Sequence, residues 1–130
     1  MTFLLDTDTC IQVLRHDTRV SRRLQAVSPD DVGIASMTEA ELWYGAMRSQ
    51  DPAHARRSVT SFLAPLARLP FDSDAAEHHA ELRFALRANP IGERDLIIAS
   101  IAKAQGLAVV THNTREFSRV PALSVEDWTD

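Results

Sequence analysis

Lysine is almost missing from this chain: of its 14 basic residues only Lys103 is a lysine, and the rest are arginines. With a net charge of −4 there is no general positive field, which excludes a protein that coats nucleic acid through bulk charge. Cysteine is reduced to Cys10, so no internal disulfide is possible and a reducing compartment is expected. No apolar run approaches the length of a membrane span, and the N-terminus has neither the basic start nor the long apolar segment of an export signal. These absences lead to the expectation of a cytoplasmic protein with no membrane role. What is present, 45% hydrophobic and 25% charged residues over 130 positions, suits one globular domain spanning residues 1–130.

Strand-like and helical stretches alternate along the chain, the pattern of an α/β fold with a mainly parallel sheet. Phe3 to Leu5 read as a first strand, and Cys10, Ile11, Val13 and Leu14 as the apolar stripe of the helix after it. Val32 to Ser36 predict a second strand and Thr38 to Arg48 a helix. Asp51-Pro52 opens another helix, which Pro65 ends. Arg68 to Phe71 make a poor strand, because Pro70 lacks a ladder donor and belongs at a sheet edge. Asp74 opens a further helix. Glu93 to Gln105 form a helix that Gly106 terminates, and Leu107 to Thr111 a clear strand. Residues 122–126 predict a last short strand. No repeats, linkers or low-complexity tracts interrupt the series.

The first strand stops on two carboxylates, Asp6 and Asp8, either as helix caps or as ligands for something positive. In a parallel sheet the strand C-termini and helix N-termini share one edge, where ligands bind. Asp6, Glu41, Asp95, Asn113 and Glu116 all fall on that edge. Thr7 or Asp8 also reads as a simple cap, and Thr38-x-x-Glu41 matches a capping box. Asp95 is harder to dismiss. Ile98, Ala99 and Ala102 lie three, four and seven places on, so Asp95 shares the buried stripe of its helix. A carboxylate there needs a partner, and no lysine is near. A hard cation that prefers oxygen, Mg²⁺ or Mn²⁺, would serve.

The stretches LLDTDTCI, IASMTEAELWYGA around Glu41, PIGERDLIIASIA around Asp95 and VVTHNTREFSRVPALSVEDW resemble, in order and almost end to end, the PIN-domain ribonucleases, and within them the VapC-type toxins. The resemblance implies an α/β/α sandwich, a homodimer, RNA cleavage with Mg²⁺ or Mn²⁺, and inhibition by a VapB-like antitoxin. It also implies an acidic site of Asp6, Glu41 and Asp95, with the metal on Asp6 and Asp95. Many relatives have Asp where this chain has Asn113. Either Glu116 supplies the fourth carboxylate or Asn113 holds a metal-bound water.

Asp8, Ser36, Thr111 and Asn113 are expected to form the supporting polar shell. Arg22, Arg23, Arg83, Arg87 and Arg94 are candidates to rim the cleft and contact RNA or antitoxin. The strand-Asp-x-Asp-x-Thr pattern also resembles haloacid-dehalogenase phosphotransferases, and the length fits a phospho-receiver domain. Both would use Asp6 as the phosphate acceptor, and both need a lysine at the same edge.

Overall fold

The computed structural model describes all 130 residues. Its strands are β1 (Phe3–Leu5), β2 (Val32–Ala35), β3 (Ala67–Leu69), β4 (Ala108–Val110) and β5 (Val125–Glu126). Its helices are α1 (Thr7–Leu14), α2 (Thr18–Gln25), α3 (Ser36–Met47), α4 (Pro52–Leu63), α5 (Ser73–Ala85), α6 (Glu93–Gln105) and α7 (Thr114–Phe117). The strands form one parallel sheet in the order β3-β2-β1-β4-β5. β1 is central, with Leu5 in register with Ile34 on one side and Val110 on the other. Residue 6 therefore leaves the sheet at the middle of its C-terminal edge.

Alternation along β1 sends Leu4 and Leu5 into two separate cores. Leu4 packs with Ala75 and Leu82 of α5 and with the buried face of α6. Leu5 packs with Cys10, Val20, Leu42 and Leu63, contributed by α1 to α4. Both sheet faces are covered, which is why β2 carries no polar side chain and is buried throughout. The α/β/α sandwich that the family resemblance implies is the observed architecture. β3 stands at a sheet edge and stops before Pro70, where a ladder donor would be missing. Gly106 closes α6 at φ 68°, a left-handed cap that glycine adopts without a Cβ clash.

Several boundaries differ from expectation. β2 ends at Ala35, and Ser36 already belongs to α3. Thr38 is thus inside the helix and fully buried, so the capping box with Glu41 does not form. Glu41 falls in the second turn of α3, not the first. α5 starts at Ser73 with Asp72, two residues before Asp74, as its cap.

Candidate active site

Asp6 follows β1 in extended conformation and caps α1: its Oδ1 accepts the Thr9 amide at 2.8 Å. Its Oδ2 accepts the Thr111 hydroxyl at 2.5 Å, from the end of neighbouring β4. Asp6 is only 3% exposed, and burial raises its pKa while the Thr111 and Thr9 bonds pull it back down. The cap of α1 is Asp6 itself, not Thr7 or Asp8, which lie inside the helix. Asp6 caps a helix and also stands as an unneutralised carboxylate at the sheet edge.

Asp95 occupies the first turn of α6, half-buried on the stripe inferred from its spacing. Desolvation, then the nearby Glu116 and Asp6 charges, push its pKa up to about 7. Asn113 joins the third element: its amide nitrogen donates to Glu116 at 2.9 Å and reaches Asp95 Oδ2 at 3.5 Å. Glu116 also accepts the Gly92 amide at the N-terminus of α6. That bond, followed by the Asn113 bond, holds the Glu116 pKa below its ordinary value despite partial burial. Glu116 and Asn113 are thus hydrogen-bonded to each other beside Asp95.

Glu41 arrives from α3. Its Oε1 accepts the Thr7 hydroxyl at 2.8 Å, and its Oε2 pairs with the Arg94 guanidinium at 3.0 Å. Asp6, Asp8, Glu41 and Asp95 line one cleft of about 460 Å³, together with Thr7, Gly92 and Arg94. Asp8 is exposed at its mouth.

Thr7 and Gly92 were not among the expected site residues. Thr7 does have a signal in its place directly after Asp6, and Gly92 in its place just before the acidic first turn of α6, where glycine is an acceptable cap. Ser36 is exposed at the first position of α3 and contributes no hydrogen bond to the cleft.

Of the five arginines considered, Arg94 alone lines the cleft. Arg23 pairs with Glu126 at 3.4 Å and lies over the Trp128 ring. Arg87 donates to the Phe84 carbonyl and stacks on that ring, while Arg22 and Arg83 are exposed on α2 and α5. Lys103 stands in the last turn of α6, the opposite end from Asp95. The phosphate-accepting readings of Asp6 thus lack their lysine.

No three His, Cys, Asp or Glu side chains converge as a ready-made metal cluster. The donor set nevertheless suits a hard cation that binds through one or two carboxylates and keeps its waters. All candidate ligands are oxygens, and Asp6 and Asp95 are desolvated with no basic side chain paired to either.

The PIN domain family model matches residues 3–123. The chain is 38% identical, over 97% of both sequences, to the tRNA(fMet)-specific endonuclease VapC of Salmonella typhimurium. It is 34% identical, again over 97% of each, to ribonuclease VapC2 of Haemophilus influenzae. Among solved structures, DNA-bound VapBC from Salmonella typhimurium superposes with a TM-score of 0.92 at 37% identity, covering 98% of both chains. VapBC2 from Rickettsia felis, bound to a promoter DNA fragment, gives 0.91 at 31% identity, covering 98% of this chain and 99% of that one. The chain belongs to the PIN-domain family and, within it, to the VapC-type ribonuclease toxins. No helix is long and apolar enough to cross a membrane.

Proposed function

We propose that this chain is an Mg²⁺- or Mn²⁺-dependent endoribonuclease, active as one domain over its whole length and working as the toxin of a cytoplasmic toxin–antitoxin pair. The observation that carries the metal reading is the convergence of Asp6, Glu41 and Asp95 on one cleft, with Asp95 pushed to about 7. A carboxylate so perturbed by burial and like charge is poised for a positive partner. RNA as substrate and a VapB-like antitoxin as partner follow from what the relatives' names and complexes state of those proteins, and inhibition is the role we propose for that partner. A homodimer is the assembly we propose for the free toxin.

Asp6 and Asp95 would hold the cation, with Glu116 and Asn113 fixing Asp95 from behind. A bound divalent ion supplies charge neutralisation at the phosphate and lowers the pKa of water. Thr111 and the Thr9 amide lock the Asp6 carboxylate in one rotamer, so little ordering is left for the reaction itself. Glu41, held by Thr7 and paired with Arg94, would help hold the metal or orient the attacking water. Asp95 holds its proton up to about 7 in the metal-free protein, so it would serve as a cation ligand less well as pH falls below that value.

The test is cleavage of single-stranded or looped RNA by protein freed of contaminating nucleases. Cutting should require Mg²⁺ or Mn²⁺ and stop in EDTA. Undiminished cutting in EDTA would overturn the metal mechanism.

A further inference from the structure

Beside the acidic cleft lies a second, larger groove of about 900 Å³, bounded by α1, α3 and α4. The two share Thr7, Ile11, Glu41 and Arg94, so they adjoin, with the Glu41–Arg94 pair at their common wall. Their charges are opposite. The cleft is lined by five carboxylates, Asp6, Asp8, Glu41, Glu93 and Asp95, whereas the groove is lined by Arg15 and Arg48, with Arg94 and Glu41 shared between the two. In a chain of net charge −4 this concentration of cations is local.

One wall of the groove is a stripe of α3. Glu41, Tyr44, Gly45 and Arg48 fall at i, i+3, i+4 and i+7, which places them on one helical face over roughly 10 Å. Tyr44 is 60% exposed, and the Arg48 guanidinium lies 4.7 Å from its ring centre. A large aromatic ring left open to solvent beside an arginine is the pairing that single-stranded nucleic acids use, base on ring and phosphate on cation.

Gly45 adds an independent point. Its backbone angles require no glycine, and a Cβ built there would meet nothing within 4 Å. Nothing in the protein's own packing calls for the missing side chain, although glycine weakens a helix interior. Space kept clear at this position suits the close passage of another chain.

We infer that the α1–α3–α4 groove holds the single-stranded flank of the RNA whose scissile phosphate lies in the acidic cleft, with Arg15 and Arg48 on its phosphates and Tyr44 under a base. This deepens the ribonuclease reading and rests on it. Arg94, paired with Glu41 at the junction, is the cation that a phosphate passing between the two cavities meets first.

The experiment measures binding of a fluorescein-labelled, unstructured 20-nucleotide RNA to full-length protein in an Asp95→Asn background that does not cut it. Arg15→Glu with Arg48→Glu should weaken binding at least tenfold. The salt dependence should fall by about 1.4, from two lost phosphate contacts at about 0.7 each. Gly45→Phe, which fills the groove without changing charge, should weaken binding as well. Tyr44→Ala should weaken it more than Tyr44→Phe does. Arg57→Glu with Lys103→Glu makes the same charge change outside both cavities and serves as the control.

Equal weakening by the control pair would reduce the effect to net charge and overturn the inference. So would unchanged RNA affinity in both the Arg15/Arg48 and the Gly45→Phe variants. Retained RNA binding with selective loss of antitoxin binding would assign the groove to the protein partner instead. If the Asp95→Asn protein binds no RNA and the wild type cuts none, the ribonuclease reading falls with the groove. If the wild type cuts RNA and the groove variants bind it normally, only the groove assignment falls.

Discussion

The N-terminal ends of α1 and α2 are built alike and sit in opposite surroundings. Asp6 accepts the Thr9 amide at 2.8 Å, and Asp17 accepts the amides of Arg19 and Val20 at 2.9 and 3.2 Å. Beside Asp17 stands the Arg19 guanidinium, 2.9 Å away, whose hydrogen bond draws the acid down to about 2. Beside Asp6 there is no cation, and burial raises its pKa. Capping is a local service that any carboxylate at the right position can perform. What marks one end as the candidate site is the combination of burial, missing counter-charge and carboxylates from other elements lining the same cleft.

The comparison breaks most visibly under substitution of Asp6. Asp6→Ala should lower RNA cleavage about a thousandfold, several kcal/mol of lost transition-state stabilisation, and cost roughly 0.5–2 kcal/mol of stability through the lost cap. Asp6→Asn should lose the same activity yet keep the cap, because asparagine caps as well as aspartate. Cleavage assays with denaturant melts separate the two. Equal activity in Asp6→Asn and wild type would reduce Asp6 to a cap.

Next comes Asp95, which sharpens the contrast through pH. In the unfolded chain its pKa is near 3.8, and in the folded metal-free protein about 7. Between these values the unfolded carboxylate has lost its proton while the folded one retains it. Stability of the metal-free protein should therefore fall as pH rises through that window. Asp95→Asn should flatten this slope and melt no lower than wild type without metal. Saturating Mg²⁺ should raise the wild-type Tm and leave the variant nearly unmoved, since an ion that binds only the folded state stabilises it. A lower metal-free Tm for the variant, with equal Mg²⁺ shifts, would make Asp95 a structural charge.

A smaller effect is expected at Thr7, whose hydroxyl holds Glu41. Thr7→Val should reduce cleavage about tenfold, in line with one hydrogen bond to a charged group. The loss should appear in kcat rather than KM. The smallest effect belongs to Asp17→Asn, which should leave cleavage unaltered. Asp17 stabilises the fold above its unfolded pKa, and that contribution disappears as pH falls toward about 2. Only acid melting curves should register the change.

Much of the site was legible because its parts obey local rules. Asp95 betrayed itself by sharing a helical face with Ile98, Ala99 and Ala102, of which Ile98 is 1% and Ala99 and Ala102 are 0% exposed. The edge strand was legible from Pro70 and the end of α6 from Gly106. Glu41 was misread in its local role, because Thr38-x-x-Glu41 imitates a capping box when the helix is assumed to start two residues late. The tight burial of β2 carries the chain straight into α3 at Ser36, and Thr38 is drawn inside. The arginines were the least legible. Thirteen similar side chains spread over helices, caps, turns and β3 offer no local sign of which cavity they face. Arg15 and Arg48, absent from the expectation, line the groove, while Arg22, Arg23, Arg83 and Arg87 lie outside both cavities.

By itself the sequence determined the α/β order, the two-sided burial of the sheet and the identity of the carboxylates at its C-terminal edge. Hydrophobic period, turn residues and strand termini act over a few residues, and their physics is contained in that span. Only the tertiary structure decided that Thr111 and Thr9 together clamp Asp6, that Asn113 and Glu116 are hydrogen-bonded to each other beside Asp95, and that Glu41 is shared between Thr7 and Arg94. Each of those sites depends on contacts between residues up to 105 positions apart. Which side chains meet across such distances is set by strand order and helix packing, since a hydrogen bond or a charge acts through a few ångströms of space and not along the chain.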